Sequence, residues 1–448
     1  MLGFAVAVVL LAYSAVGLGL KGKLPPGLPV DILVFAAVML AAHFAVRRFA
    51  PYADPLLLPL AGLLNGLGLV MIYRLAESGR NGNPGGQVSD MSASATTTQL
   101  LYTVLGIIAM VAVLVLIREP RVLQRYTYTL GAVGLILLAI PALLPASHSM
   151  VNGAKVWITF GSFSVEPGEF ARLALAVFFA GYLVTKRDAL ALTGHRVLGI
   201  DLPRARDLGP VLLAWAASLL ILVFETDIGT SALFFGMFIA MLYIATQRTS
   251  WLLLGVLLFL AGSWLTALLF GHVMERFTIW LHPFQGSNPT DASFQLVQGM
   301  EGMAFGGLFG TGLGQGQPYH TPLVQSDFIF TAFGEELGLV GVMALLLVFG
   351  LLVQRGLRAA LAVRDPFSKL LVGGLSFVLA LQVFVIVGGV SGLIPLTGVT
   401  TPFLSEGGSS LVASWILIGL LIRVSDSARK PAPQPIQDEG MTQVVRAA

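Results

Sequence analysis

Twelve apolar runs leave this chain of 448 residues few folds to choose from. A helix that crosses a bilayer takes about 20 apolar residues. That ruler finds runs near 3–20, 29–46, 55–73, 99–117, 126–144 and 169–185, then 209–224, 229–246, 250–270, 328–353, 369–391 and 408–423. The pair over 209–246 is divided only by ETDIG and reads as two spans. Hydrophobic residues make up 56% of the chain and charged ones 11%, with a mean hydropathy of +0.85, which excludes a single water-soluble core. The expectation is an all-α polytopic membrane protein of about twelve transmembrane helices. Cysteine is absent, so no disulfide, thiol nucleophile or thiolate metal site is open to it. The first run lacks a basic leader and is followed by KGKLPPG, unlike a cleavable signal peptide.

Twelve crossings put both termini on one side, and the basic residues say which. With a cytoplasmic N-terminus, the inner segments and tail carry 19 of the 26 Lys and Arg, the outer segments six, and Arg172 lies within a span. The long polar loop 271–327 is then extracytoplasmic. The six outer cations are Lys21, Lys23, Arg74, Arg80, Lys155 and Arg276. Lys155 and Arg276 sit in structured-looking segments and read equally as interfacial anchors or as site residues. Arg74 and Arg80 flank a Gly/Ser/Thr/Asn-rich loop expected to be flexible. Residues 426–448 are Pro-rich and polar and read as a disordered cytoplasmic tail.

Ionisable side chains at membrane depth are costly, so each is a functional candidate. Glu169 stands three residues before Arg172, a spacing that lets the pair neutralise itself. Glu225 and Asp227 in ETDIGTS, and Glu335 and Glu336 in FGEELGLVG, have no basic neighbour and need a distant partner. Arg276 and Lys155 are the candidates for that partner. Asp327 in SDFIF is a further outer-side acid. The run GGLFGTGLGQGQ at 306–317 is not a phosphate-binding Walker loop, since no Gly-Lys-Ser/Thr follows, but it permits close helix approach and re-entrant backbone.

These segments resemble, in order, those of the SEDS family, the shape, elongation, division and sporulation proteins of RodA and FtsW type. The segments are GLVMIY (68–73), NGAKVWITFGSFSVEPGEFARLAL (152–175), ETDIGTS (225–231), ERFTIWLHP (275–283), FQLVQGMEGMAFGGLFGTGLGQG (294–316), SDFIFTAFGEELGLVG (326–341) and PLTGVTTPFLSEGGSSL (395–411). The family has ten core spans. Residues 1–54 would thus be a two-span extension, residues 55–425 the family's membrane domain, and 426–448 the tail. The two extra spans, long chain and Pro-rich tail look most like the elongation-type RodA members of actinobacteria.

The resemblance implies a peptidoglycan glycosyltransferase of the bacterial plasma membrane that polymerises lipid II and works with a class B penicillin-binding protein. No nucleic acid is expected as a partner. It also implies an essential aspartate in the loop that is 271–327 here. Where relatives read Asp-Pro before an aromatic-Gln, this chain has Asn288–Pro289 before Phe294–Gln295. Asp291 is the one carboxylate between Glu275 and Glu301, which makes it the catalytic choice. In SEGGSS, Glu406 stands where relatives often have Tyr.

Joining a sugar hydroxyl to the C1 of a diphosphate-linked sugar calls for a base and for cations at the leaving diphosphate. Asp291 suits the first role; Lys155 and Arg276 suit the second, with Gln295, Gln298 and Ser409 as further substrate contacts. A divalent cation, Mg or Mn, could bridge the phosphates, and no organic cofactor is expected. Two other classes compete with this reading. A lipid II flippase would also show buried acids and Gly-interrupted helices, and a non-enzymatic scaffold for the transpeptidase would need no chemistry. Against the flippase, the halves 1–224 and 225–448 show no internal repeat. Polymer formation from lipid II by purified protein would separate the enzyme from both.

Overall fold

The computed structural model describes residues 1–80, 94–149, 155–160, 163–191, 193–197, 200–203, 216–217, 228–269, 271–285 and 291–431. Helices dominate because an apolar segment in lipid can satisfy its backbone only within itself. They are α1 Leu2–Lys21, α2 Leu28–Phe49, α3 Leu57–Arg80, α4 Ala95–Leu116, α5 Thr127–Leu143, α6 Ala146–Ser149 and α7 Pro167–Ala191. Then come α8 Ile228–Thr246, α9 Thr249–Leu269, α10 Gly271–Leu281, α11 Phe294–Gly306, α12 Ile329–Ala362, α13 Pro366–Val390 and α14 Gly408–Arg429. A 3-10 segment, Pro120–Tyr126, leads into α5. Strands are confined, among the described residues, to two antiparallel hairpins, Ile158–Phe160 with Phe163–Val165 and Thr193–Val197 with Ile200–Pro203.

Eleven described helices are long and apolar enough to cross a membrane, and they coincide with eleven of the twelve expected runs. The twelfth, 209–224, lies outside the described residues apart from Ala216 and Ala217. Helices α3, α8, α13 and α14 are the most enclosed, whereas α2 and α9 turn most of their surface outward. Polar ties fix the centre: Trp415 Nε1 donates to Asn65 Oδ1 (2.9 Å), and Asn65 Nδ2 donates to Thr103 Oγ1 (3.1 Å).

Helix α12 has 34 residues, about 51 Å at 1.5 Å per residue, against a hydrocarbon core of about 30 Å. It is not continuous. Gly338 breaks it with φ +68° and ψ −171°, leaving a half-helix Ile329–Leu337 that carries Glu335 and Glu336. The freed backbone groups are taken up by the glycine-rich segment after α11. Thr311 N and Gly312 N donate to the Glu335 and Glu336 carbonyls (2.9 Å each), while Leu339 N and Val340 N donate to Gly307 O (2.9 Å) and Leu308 O (3.1 Å). The expected polar loop 271–327 is therefore largely built structure, with α10, α11 and this segment braced against α12.

The sequence boundary at 425 moves. Helix α14 runs on to Arg429, because Asp426 accepts from Tyr52 N (2.8 Å) and Arg429 pairs with Asp54. Residues 432–448 of the expected disordered tail lie outside the described residues.

Candidate active site

The acids that the sequence singles out divide into those that are paired and those that are not. Glu336, fully buried, accepts from Arg74 Nε at 2.6 Å, and its other oxygen accepts from Gly314 N at 2.9 Å. Glu335 Oε1 accepts from Gln317 N at 2.5 Å. Arg74 Nη2 closes the ring by donating to Gly316 O (2.7 Å). The distant partner that the two acids need is therefore Arg74, not Arg276 or Lys155. Arg74 lies within α3, 1% exposed, rather than at the edge of a flexible loop. Its place directly after GLVMIY was the available signal. This buried arrangement fixes the glycine-rich segment in position and engages both oxygens of Glu336 and one of Glu335.

Glu169 pairs with Arg172 on α7, as their spacing predicts. Arg172 also donates to Gln382 Oε1 on α13 (2.9 Å), and Gln382 Nε2 donates to Thr400 O (2.9 Å). This chain anchors the segment 395–407. Ser409, buried, spends its hydroxyl accepting from Glu166 N (2.9 Å), which joins the starts of α7 and α14. Gln295 Nε2 donates to Pro322 O (3.0 Å) and Gln298 Nε2 to Glu301 (3.1 Å). Among the expected substrate contacts, Ser409 and Gln295 thus already hold the fold together. Glu225 and Asp227 lie outside the described residues, as do Asn288 and Pro289.

The remaining groups keep chemical capacity. Asp291 is exposed, two residues before Ser293 at the N-cap position of α11, and among the described residues only its carbonyl is engaged, by Phe294 N (3.2 Å). Lys155 Nζ donates to Ala142 O at the end of α5 (2.7 Å). Arg276, on α10, donates through Nη1 to Leu396 O (3.2 Å), and its Nε and Nη2 have no partner among the described residues. No hydrogen bond or ion pair joins Asp291, Lys155 and Arg276 to one another among the described residues.

Two further carboxyls sit near Arg276 and the segment it touches. Burial pushes Asp327 up to about 6, although its own backbone N–H and the Arg276 cation pull the other way. Burial alone raises Glu406, whose backbone N donates to Gln325 O (2.8 Å). Trp280, one turn after Arg276, donates to Gly392 O (2.9 Å). Beside that contact, α12 and α13 enclose an apolar groove of about 340 Å³ that ends at Ser391 and Leu393. This end of the bundle therefore carries a cation with unspent donors on α10, the helix whose Trp280 meets the chain beside an apolar groove. Among the described residues no three His, Asp or Glu side chains cluster as metal ligands.

Residues 54–430 match the family of cell cycle proteins FtsW, RodA and SpoVE. The peptidoglycan glycosyltransferase RodA of Mycobacterium tuberculosis is 48% identical over 413 residues, covering 90% of this chain and 86% of that protein. Its counterpart in Mycobacterium leprae is 46% identical over 431 residues, 96% of this chain and 90% of the other. Among solved structures, a chain of a peptidoglycan synthase complex superposes with a TM-score of 0.55 at 24% identity, covering 90% of this chain and 98% of that one.

Proposed function

The chain belongs to the FtsW/RodA/SpoVE family of cell cycle proteins and is a peptidoglycan glycosyltransferase; on that premise we propose that it polymerises lipid II on the outer face of the plasma membrane. The observation that carries the substrate class is Arg276. Its guanidinium keeps two nitrogens unspent among the described residues, and Trp280, one turn on, meets Gly392 beside the apolar groove between α12 and α13. A diphosphate on a long isoprenoid chain has the two parts that such a place accommodates: an anion for the arginine fork and a tail for the groove.

In this reading Asp291 accepts the proton from the attacking sugar hydroxyl, and Arg276 and Lys155 take up charge on the departing diphosphate. The anomeric carbon inverts in the single displacement. The described residues supply no metal cage, so a Mg or Mn ion fits only as a companion of the diphosphate, which gives most of its oxygen ligands. Its contribution there is charge neutralisation. The solved relative belongs to a peptidoglycan synthase complex, and a class B penicillin-binding protein is the partner we assign to this chain.

The test is glycan polymerisation from lipid II by purified protein in detergent, where nothing can be flipped. Asp291→Asn keeps size and hydrogen bonding but cannot take a proton, so the rate should fall by about 10²–10⁴. Asn288→Ala should be mild. An active Asp291→Asn protein would move the base to Asp327, which feels the Arg276 charge, or to Glu406 on the segment that Arg276 touches; an inactive wild type would favour the flippase or scaffold.

A further inference from the structure

At the opposite end of the bundle from Arg276, the ends of α2, α4, α12 and α14, with the starts of α13 and the Pro120–Tyr126 segment, line an open cavity of about 860 Å³. That volume lies within the ~300–1,000 Å³ of small-molecule sites. Six cations line it, Arg48, Arg118, Arg121, Arg364, Arg423 and Lys430, against the carboxylates of Glu119, Asp365 and Asp426. Two of those carboxylates are occupied. Asp365 caps α13 by accepting from Ser368 N (2.9 Å) and Oγ (2.7 Å), with Arg121 at 3.8 Å. Asp426 accepts from Tyr52 N and faces Arg423 at 3.5 Å. Arg118, Arg364 and Lys430 have no ion-pair partner among the described residues.

Basic residues at this end are expected of any membrane protein with a cytoplasmic surface here. That rule accounts neither for the cavity nor for Arg423. Arg423 is 5% exposed and donates to Phe49 O (2.8 Å) and Leu114 O, yet its Nε is buried with no partner. Its charge stands at the cavity wall with Asp426 as its one ion-pair partner among the described residues. Five of the six cations are arginines, whose planar forks match phosphate oxygens in pairs. Beside the lining residues Val115 and Ala362, Leu116 and Leu361 are 79% and 75% exposed, which puts apolar surface at the cavity's edge.

The geometry points to a binding site for a phosphoryl group at the cytoplasmic end of the bundle. Two sources share that chemistry: the headgroup of an anionic phospholipid, with its acyl chains along Leu116 and Leu361, and a soluble phosphorylated compound. This site is separate from glycosyl transfer, and its test does not read that activity.

Full-length protein in neutral detergent would be examined by native mass spectrometry with phosphatidylglycerol, with phosphatidylcholine, and with inorganic phosphate. The variant is R118Q/R364Q/K430Q, which spares Arg423 and its contacts to α2 and α4; Lys430→Gln alone serves if the triple variant elutes aggregated. Wild type should retain phosphatidylglycerol over phosphatidylcholine, and loss of three interfacial cations should weaken that retention about a hundredfold. Dependence of phosphatidylglycerol binding on the three residues assigns the lipid source. Dependence of phosphate binding, without a lipid preference, assigns the soluble one. Equal binding of both probes by wild type and variant overturns the site; for Lys430→Gln, about a fivefold loss is the expected mark.

Discussion

At the scale of single residues, the end of the bundle around the glycine-rich segment separates acids that bind the fold from acids that can exchange protons. Asp327 is of the second kind. Its folded value of about 6 lies above its ordinary 3.8, so the native chain holds this proton more tightly than the unfolded one. Stability therefore falls as pH rises from about 4 to about 6 and levels off above, a loss of at most about 3 kcal/mol. Asp327→Asn should unfold at a higher temperature than wild type at pH 7.5 and at the same temperature near pH 4, measured by thermal unfolding in detergent. Equal behaviour at both pH values would show that Arg276 already compensates the charge. Arg74 and Glu336 give the contrasting case. Arg74→Leu strands a buried carboxylate and should cost about 3–5 kcal/mol, whereas Arg74→Leu with Glu336→Leu should recover most of it. A double variant no better than the single one would mean that Glu336 acts mainly through Gly314 N.

At the scale of elements, the joint between the broken α12 and the glycine-rich segment is the feature on which the outer face depends. Gly338 takes a left-handed φ, and a Cβ there would overlap Gly310 N and the Leu308 carbonyl. Gly338→Ala should therefore cost about 2–4 kcal/mol through backbone strain and overpacking together. Thermal unfolding would show it; a wild-type midpoint would mean that the segment shifts without loss. Much of this element was legible as composition and little as geometry. FGEELGLVG and GGLFGTGLGQGQ announce themselves by charge and glycine in an apolar chain. Their mutual bracing joins backbone groups 24 to 32 residues apart, through carbonyls that carry no residue identity. Arg74 escaped for a related reason. Its position beyond an apolar run looks the same whether the helix stops there or continues six residues to Arg80.

For the whole molecule, the eleven described spans were readable because bilayer thickness dictates their length, whatever the packing. What packing decides was not readable: which helices are central, and how Lys155 and Arg276 come to be held by the carbonyls of Ala142 and Leu396. The orientation that the basic bias predicts can be tested directly, since the chain has no cysteine of its own. Cysteine at Ala292, exposed on the outer side, should react with an impermeant thiol reagent in intact spheroplasts. Cysteine at Ser427, exposed near the end of α14, should be spared until the membrane is opened. The reverse pattern would invert the protein and place Asp291 in the cytoplasm.

The first helix lies outside the family match and yet is tied to the family's glycine-rich segment. Gln315 Nε2 donates to Gly19 O (2.9 Å), and the backbone of Leu313 presses so close on Gly19 that a side chain there would not fit. The two partners are separated by almost 300 residues of chain. A ribosome adding about 5–20 residues per second needs roughly 15–60 s to travel that far. For that interval α1 can already pack on α3, where Tyr13 meets Tyr73, but the backbone that its Gly19 end meets does not yet exist. Assembly of the outer face is thus a late event in biogenesis, timed by translation rather than by the speed of helix association.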